Sequence, residues 1–147
     1  MSQPLRKPVG LFDYLAAENA SDRRSEYVGG EIHAMTGGTA RHNRIAGNIY
    51  SAFLRRFDGT PCQVFRNDMK LHGQAADRVY YPDVFVTCGR ALTDDQTVAT
   101  DATIVVEVLS ESTTSTDRRE KLVAYRQLPG LRAYWIVSQH EQKVEVH

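Results

Sequence analysis

Apolar positions change their spacing several times along the chain, and each change predicts an element. In VGLFDYLAAEN, residues 9–19, Phe12, Leu15 and Ala16 fall on one side of a helix, which predicts a short amphipathic helix. SEYVGGEIHAM, residues 25–35, predicts a hairpin, because Gly29-Gly30 accepts positive φ between two short strands. TGGTARHN, residues 36–43, reads as loop. From Asn43 to Phe57, residues Ile45, Ile49, Ala52, Phe53 and Arg56 share a helical face, with Arg41, Arg44, Arg55 and Arg56 near the ends. Three strand-like runs follow: CQVFRNDMKLH (62–72), VYYPDVFVTC (79–88) and ATIVVEVLS (102–110). Ser115 to Leu128 predicts a second long helix stopped by Pro129-Gly130, and AYWIVS and KVEVH predict two last strands.

The order is helix, three strands, helix, strand, preceded by a small helix and hairpin. Hairpin-linked strands followed by a strand-helix-strand crossover predict an α/β (α+β) fold with a mixed sheet flanked by helices. A length of 147 residues without repeat or linker predicts one domain over 1–147. Formal net charge is zero, so no overall basic field gathers phosphates, and a nucleic-acid role must rest on local clusters. Cys62 and Cys88 form no CxxC pair, which predicts two small packed hydrophobes in a reducing, cytoplasmic setting. MSQPLRKPVGLF has no apolar leader core, and no run approaches a membrane span.

The chemistry lies in two acids that break apolar runs. Asp83 interrupts VYYPDVFVTC, and Glu107 interrupts IVVEVLS. Strand periodicity groups Tyr81 with Asp83 and Phe85, and Val105 with Glu107 and Leu109. Paired strands lie about 4.8 Å apart, so the carboxylates can project side by side. Each acid alone has an ordinary explanation: a bond to a backbone amide, or a pair with an arginine such as Arg66. Two acids in consecutive apolar strands point instead to a shared hard cation such as Mg²⁺, which takes one or two protein carboxylates. In the helix DRREKLVAYRQL, Asp117 can cap and Glu120 complete a capping box, while Lys121, Ala124, Tyr125 and Leu128 share a face. Lys121 there either snorkels to solvent or reaches the strand acids.

PDVFV, VVEVLSEST, DRREKLVAYRQL and AYWIV, together with SEYVGGEIHAM and RHNRIAGNI upstream, resemble the Uma-type restriction endonuclease family of the PD-(D/E)XK nuclease superfamily. The resemblance implies a restriction-endonuclease-like core and a DNA endonuclease using Mg²⁺ or Mn²⁺. It implies Asp83 and Glu107 as the two motif acids, joined at the metal by the Val108 carbonyl. The superfamily's usual lysine position is Leu109 here, and Lys121 matches the family's displaced lysine. Glu26 and His42 are implied auxiliaries, with capping or solvated roles as the alternative, and Arg118 and Arg119 are suited to phosphate contact, though a solvated helix face explains them equally well. A non-catalytic binding module that keeps the nuclease fold is the competing reading. Family members continue beyond the KVEV strand; stopping at His147 would leave an edge open to pairing, with which a homodimer is compatible.

Overall fold

The computed structural model describes residues 7–110 and 115–147, the side chains of 115–117 excepted. A first helix, α1 (Leu11–Asn19), precedes the hairpin β1 (Ser25–Val28) and β2 (Glu31–Ala34). The long helix α2 (Ala40–Arg56) follows, then β3 (Gln63–Arg66), β4 (Lys70–Gly73), β5 (Arg78–Tyr80), β6 (Val84–Thr87), β7 (Val98–Ala99) and β8 (Ile104–Val108). Helix α3 (Ser115–Arg126) then leads to β9 (Ala133–Val137) and β10 (Val144–Val146). Gly29 and Gly30 turn the hairpin with φ of 52° and 96°. A side chain at Gly30 would also meet Pro8, its Cβ falling 2.9 Å from the proline's.

Two sheets form where one was expected. The first runs β2-β1-β5-β4-β7 and the second β10-β9-β8-β6-β3. The cause is that two of the expected strands break. CQVFRNDMKLH turns after Arg66 and yields β3 in the second sheet and β4 in the first. VYYPDVFVTC breaks at Pro82-Asp83 into β5 and β6, again one strand for each sheet. Proline has no amide hydrogen to donate to a ladder, so the chain leaves one sheet there and enters the other. The expected helix, three strands, helix, strand order survives as α2, β3-β6-β8, α3 and β9, with β8 and β9 parallel across α3.

Helices fill both sides of the second sheet. Phe53, with Ile45 and Ile49 on the same face of α2, packs on Val84, Val86, Val106 and Val108. On the other side Ala124 and Tyr125 of α3, with Leu128 just beyond the helix, which ends at Arg126 rather than at the expected Leu128, pack on Phe85, Val105, Tyr134 and Ile136, and also on Leu71 and Tyr80 of the first sheet. Helix α3 thus wedges between the sheets. Helix α1 seats Tyr14 on Tyr27 and Val79, and Phe12, expected on its buried face, is 84% exposed. Its neighbours toward the core are Leu11 and Leu15. Helix α2 begins at Ala40, earlier than expected, because the Thr39 side chain accepts from the His42 amide and caps it. Helix α3 begins at Ser115, which puts Asp117 inside its first turn, and the expected cap at Asp117 involves a side chain outside the described residues. Strand β10 lies at a sheet edge with Val144 and Val146 exposed. Among the described residues no helix is long and apolar enough to cross a membrane.

Cys62 and Cys88 are not separate thiols but a disulfide. Gln63 pairs Thr87 across β3 and β6, so the two cysteines face each other one step beyond. The ground for expecting a reducing compartment is thereby removed. The bridge spans a sequence separation of 26 residues, and closing such a loop stabilises by about 3 kcal/mol. The unreduced protein is expected to show no thiol to an aromatic disulfide reagent, and the Cys62→Ser/Cys88→Ser variant to lose roughly that much stability in urea. Two titratable thiols in the native, unreduced protein would contradict the bridge.

Candidate functional site

The break at Pro82 decides what Asp83 faces. Val84 pairs Val106 across β6 and β8, so Asp83 stands opposite Glu107 in the same antiparallel register. Phe85 and Val105, the next pair on that face, point into the core under α3. Asp83 and Glu107 therefore share the α3 side of the second sheet, at the end where the two sheets meet. Tyr81, expected beside Asp83, turns away, and its hydroxyl donates to Glu18 of α1 at 2.7 Å. Tyr80 takes the α3 side instead, bonding Glu120 at 2.9 Å.

A cavity of about 420 Å³ opens at this junction, lined by Glu26, His42, Asp83, Glu107, Arg118 and Lys121 among others. Their side chains are withdrawn from water: Glu107 is 12% exposed, Asp83 15%, Glu26 17%, His42 19% and Lys121 23%. Asp83 Oδ2 accepts the Val108 amide at 2.7 Å and lies 3.3 Å from His42 Nε2. The same His42 nitrogen is 3.1 Å from the Val108 carbonyl, so one imidazole spans the acid and the main-chain oxygen beside it. Helix α2 aims His42 here because it is in the first turn after the Thr39 cap. Glu107 Oε1 accepts from the Tyr125 hydroxyl at 2.6 Å and meets Lys121 Nζ at 3.4 Å. Lys121 also reaches Glu26 at 3.6 Å, and Glu26 accepts the Tyr81 amide at 3.3 Å.

Lys121 is thus no snorkelling surface lysine: it is held between two acids, over the Tyr80 ring. Its side chain is 23% exposed, so the stem is largely packed. Leu109 packs against the core, and β8 supplies no cation of its own to Glu107. Arg118 lines the cavity and bonds Glu145 of β10 at 2.7 Å, while its Nε is buried without a partner among the described residues. Arg119 is exposed and does not line the cavity. Tyr125, on the face that also carries Ala124, is core packing and carboxylate partner at once, and nothing in a tyrosine at a core-facing position announces a carboxylate above it.

Three acids face one ammonium and one imidazole here, and the imbalance appears in the acidities of Glu107 and Glu26. Burial pushes Glu107 up to about 7, against the pull of Lys121 and with the push of Asp83 and Glu26. Burial also raises Glu26, again opposed by Lys121. For Lys121 burial works downward, but attraction to Glu107 and then Glu26 outweighs it and the ammonium is raised. The bond to Asp83 raises His42 against the effect of burial. Tyr125 is held well above its ordinary range by burial and by the Glu107 charge, so it remains a donor. Surplus negative charge calls for a proton or a cation.

The donor set suits a hard cation. Among the described residues the contacts of Asp83 fall on Oδ2 and those of Glu107 on Oε1, which leaves one oxygen of each for a ligand. With the Val108 carbonyl these make an all-oxygen set of the kind Mg²⁺ completes with waters. Among the described residues no three His, Cys, Asp or Glu side chains form a metal-holding group, so the protein side chains alone would not complete a cage.

The charge imbalance has a consequence for stability. An unfolded glutamate ionises near 4.5, whereas the folded Glu107 does so near 7. The folded state keeps a proton that the unfolded chain has shed, so this contribution is full below pH 4.5 and lost as pH rises through 7. Glu107→Gln, measured in chelator, is expected to gain on the wild type between pH 5 and pH 8 by on the order of 2 kcal/mol. A stability difference that does not vary over that interval would remove the raised acidity constant from the site.

Comparison with known proteins bears on the whole chain. The sequence profile of the Uma2 family, described as "Putative restriction endonuclease", matches residues 11–147. An uncharacterised protein of Synechocystis is 31% identical over 135 residues, covering 90% of this chain and 76% of its own length. A second from that organism is 32% identical over 135 residues, covering 92% and 71%. Among solved structures, one described as a "putative nuclease belonging to DUF820" from Anabaena variabilis superposes with a TM-score of 0.80 at 19% identity, covering 95% of this chain and 79% of that one. That likeness is one of fold, and it agrees with the α2, β3-β6-β8, α3, β9 core. With its profile matched along residues 11–147, the chain belongs to the Uma2 family of restriction-endonuclease-like proteins.

Proposed function

We propose that the protein is a metal-dependent endonuclease that hydrolyses phosphodiester bonds in DNA, with Asp83, Glu107 and Lys121 as its catalytic set. The observation that carries this reading is the facing register of Asp83 and Glu107, with Lys121 brought from α3 onto Glu107 in one cavity. Asp83, Glu107 and the Val108 carbonyl would hold Mg²⁺ or Mn²⁺. When bound, the cation polarises a phosphodiester oxygen and lowers the pKa of its water.

The chain's own groups supply the rest. Lys121, raised and therefore charged, orients the attacking water or offsets charge gathering on the phosphoryl oxygens. Glu26 shares that ammonium and holds it beside Glu107 rather than upon it. His42 braces Asp83 and is placed to meet a phosphate oxygen at the cavity wall. Arg118 is the phosphate contact inside the cavity, and exposed Arg119 is suited to contact outside it. The second reading, a nucleic-acid binding module without catalysis, draws on the absence of a three-residue metal-holding group among the described residues.

The test is cleavage of supercoiled plasmid with Mg²⁺ or Mn²⁺, beside calorimetric titration of the same ions. The wild type is expected to nick and linearise DNA and to stop in chelator. Asp83→Asn is expected to lose both cleavage and metal binding. Lys121→Met, chosen to keep the packed stem, is expected to lose about 10²-fold or more in rate while still binding metal. Metal-dependent retention of DNA without cleavage by the wild type would replace this reading with the binding module. Equal cleavage by wild type and Asp83→Asn would point to a contaminating nuclease.

A further inference from the structure

We propose that Tyr125 is a positioning residue for Glu107: its hydroxyl, rather than the Lys121 ammonium, fixes which carboxylate oxygen faces the protein and which is left for a ligand. This rests on the metal-dependent nuclease reading above. Both groups come from α3 one turn apart and both address Oε1, but they do so very differently. The tyrosine donates at 2.6 Å, whereas the lysine stands at 3.4 Å and divides itself with Glu26 at 3.6 Å. An ammonium shared between two acceptors at longer distances sets no single orientation. A phenol held by its ring does.

The ring is held on every side. Tyr125 is 2% exposed and stacks edge-on with Tyr80 at 5.4 Å and Tyr134 at 5.0 Å between ring centres. Ala124 beside it on the helix and Leu128 just past the helix end are buried in the same cluster. Packing thus places the hydroxyl whether or not the carboxylate answers it, which is the condition for one group to orient another.

The arrangement divides the labour on α3. Leu109 is packed apolar, so β8 offers Glu107 no donor, and Oε1 must be satisfied from the helix. With Tyr125 satisfying it, Lys121 is not obliged to close on the acid and keeps its ammonium available to the cavity. Among the described residues Glu107 Oε2 has no protein contact and remains for a ligand.

Tyr125→Phe removes one oxygen and keeps the ring, and Tyr14→Phe is the matched control. Tyr14 is equally buried, donates at 2.6 Å to the Ser25 carbonyl and does not itself line the cavity. The readout is Mn²⁺ affinity from the free-ion resonance in paramagnetic spectroscopy, alongside urea stability and plasmid cleavage. Tyr125→Phe is expected to bind Mn²⁺ about 10- to 100-fold more weakly, the usual effect of losing a group that orients a metal ligand. Its kcat should fall while KM for DNA holds. Tyr14→Phe should lose stability and keep wild-type Mn²⁺ affinity. Equal Mn²⁺ affinity in Tyr125→Phe and wild type overturns the positioning role and leaves the nuclease reading standing. A wild type that binds no Mn²⁺ overturns both. Should Tyr125→Phe not fold, ring-labelled tyrosine in the wild type serves instead. The Tyr125 hydroxyl proton should then appear far downfield and shift on Mg²⁺ addition, and an unmoved signal overturns the role.

Discussion

Carboxylate charge withdrawn from water must be balanced, and three carboxylates are withdrawn together where the two sheets meet. The surrounding structure is arranged around that requirement. Asp83 is answered by the Val108 amide and by His42, which ties the start of α2 to the end of β8. Glu107 is answered by Tyr125 and Lys121, which ties α3 to β8. Glu26 is answered by Lys121 and the Tyr81 amide, which ties the hairpin to both. Helices α2 and α3, which close the second sheet on its two sides, each bring partners to the acids. Removing a single partner leaves a buried charge unanswered, which costs more than the lost bond itself.

The switch of sheets at Pro82 makes this convergence possible. One continuous strand would have carried Asp83 through the middle of a ladder, with its flanks paired on both sides. Broken, the chain delivers Tyr80 to the core under α3, Tyr81 to α1, and Asp83 to the open junction. The same break lets α3 touch both sheets, through Leu71 and Tyr80 on one and Phe85, Val105 and Tyr134 on the other. Glu120 adds a polar anchor there, accepting from Tyr80 at 2.9 Å and from Arg78 at 3.2 Å. Lys121 and Tyr125 are therefore carried by a helix fixed at both of its faces.

Zero net charge turns out to say little about the site. The described cavity lining holds Glu26, Asp83, Glu107 and Glu120 against Lys121 and Arg118, so it is locally acidic although the chain is neutral. A polyanion would meet repulsion there unless a divalent cation or protons offset it. Neutrality over the whole chain removes long-range steering but leaves such a local device untouched.

Much of this was legible in the sequence, and the legible parts share a cause. Asp83 and Glu107 stand out because carboxylates in apolar runs violate burial, and Lys121 because it occupies a core-facing position of its helix. The order of the core elements follows from period and turn residues, which are local properties. What remained hidden depends on pairs distant along the chain. The Cys62–Cys88 bridge exists because β3 and β6 pair in the register that sets those residues face to face. The two-sheet division depends on which partners β4 and β5 find after each run breaks. Phe12 was placed inside by helical spacing, yet the face of α1 that is buried is the one Tyr14 presents to Tyr27 and Val79. Tyr125 looked like packing because a hydroxyl's partner is invisible until the strand above it is in place. Residue chemistry by itself determined which groups needed partners; only the tertiary structure decided which partners they met, because contact between distant segments is set by register and packing rather than by local pattern.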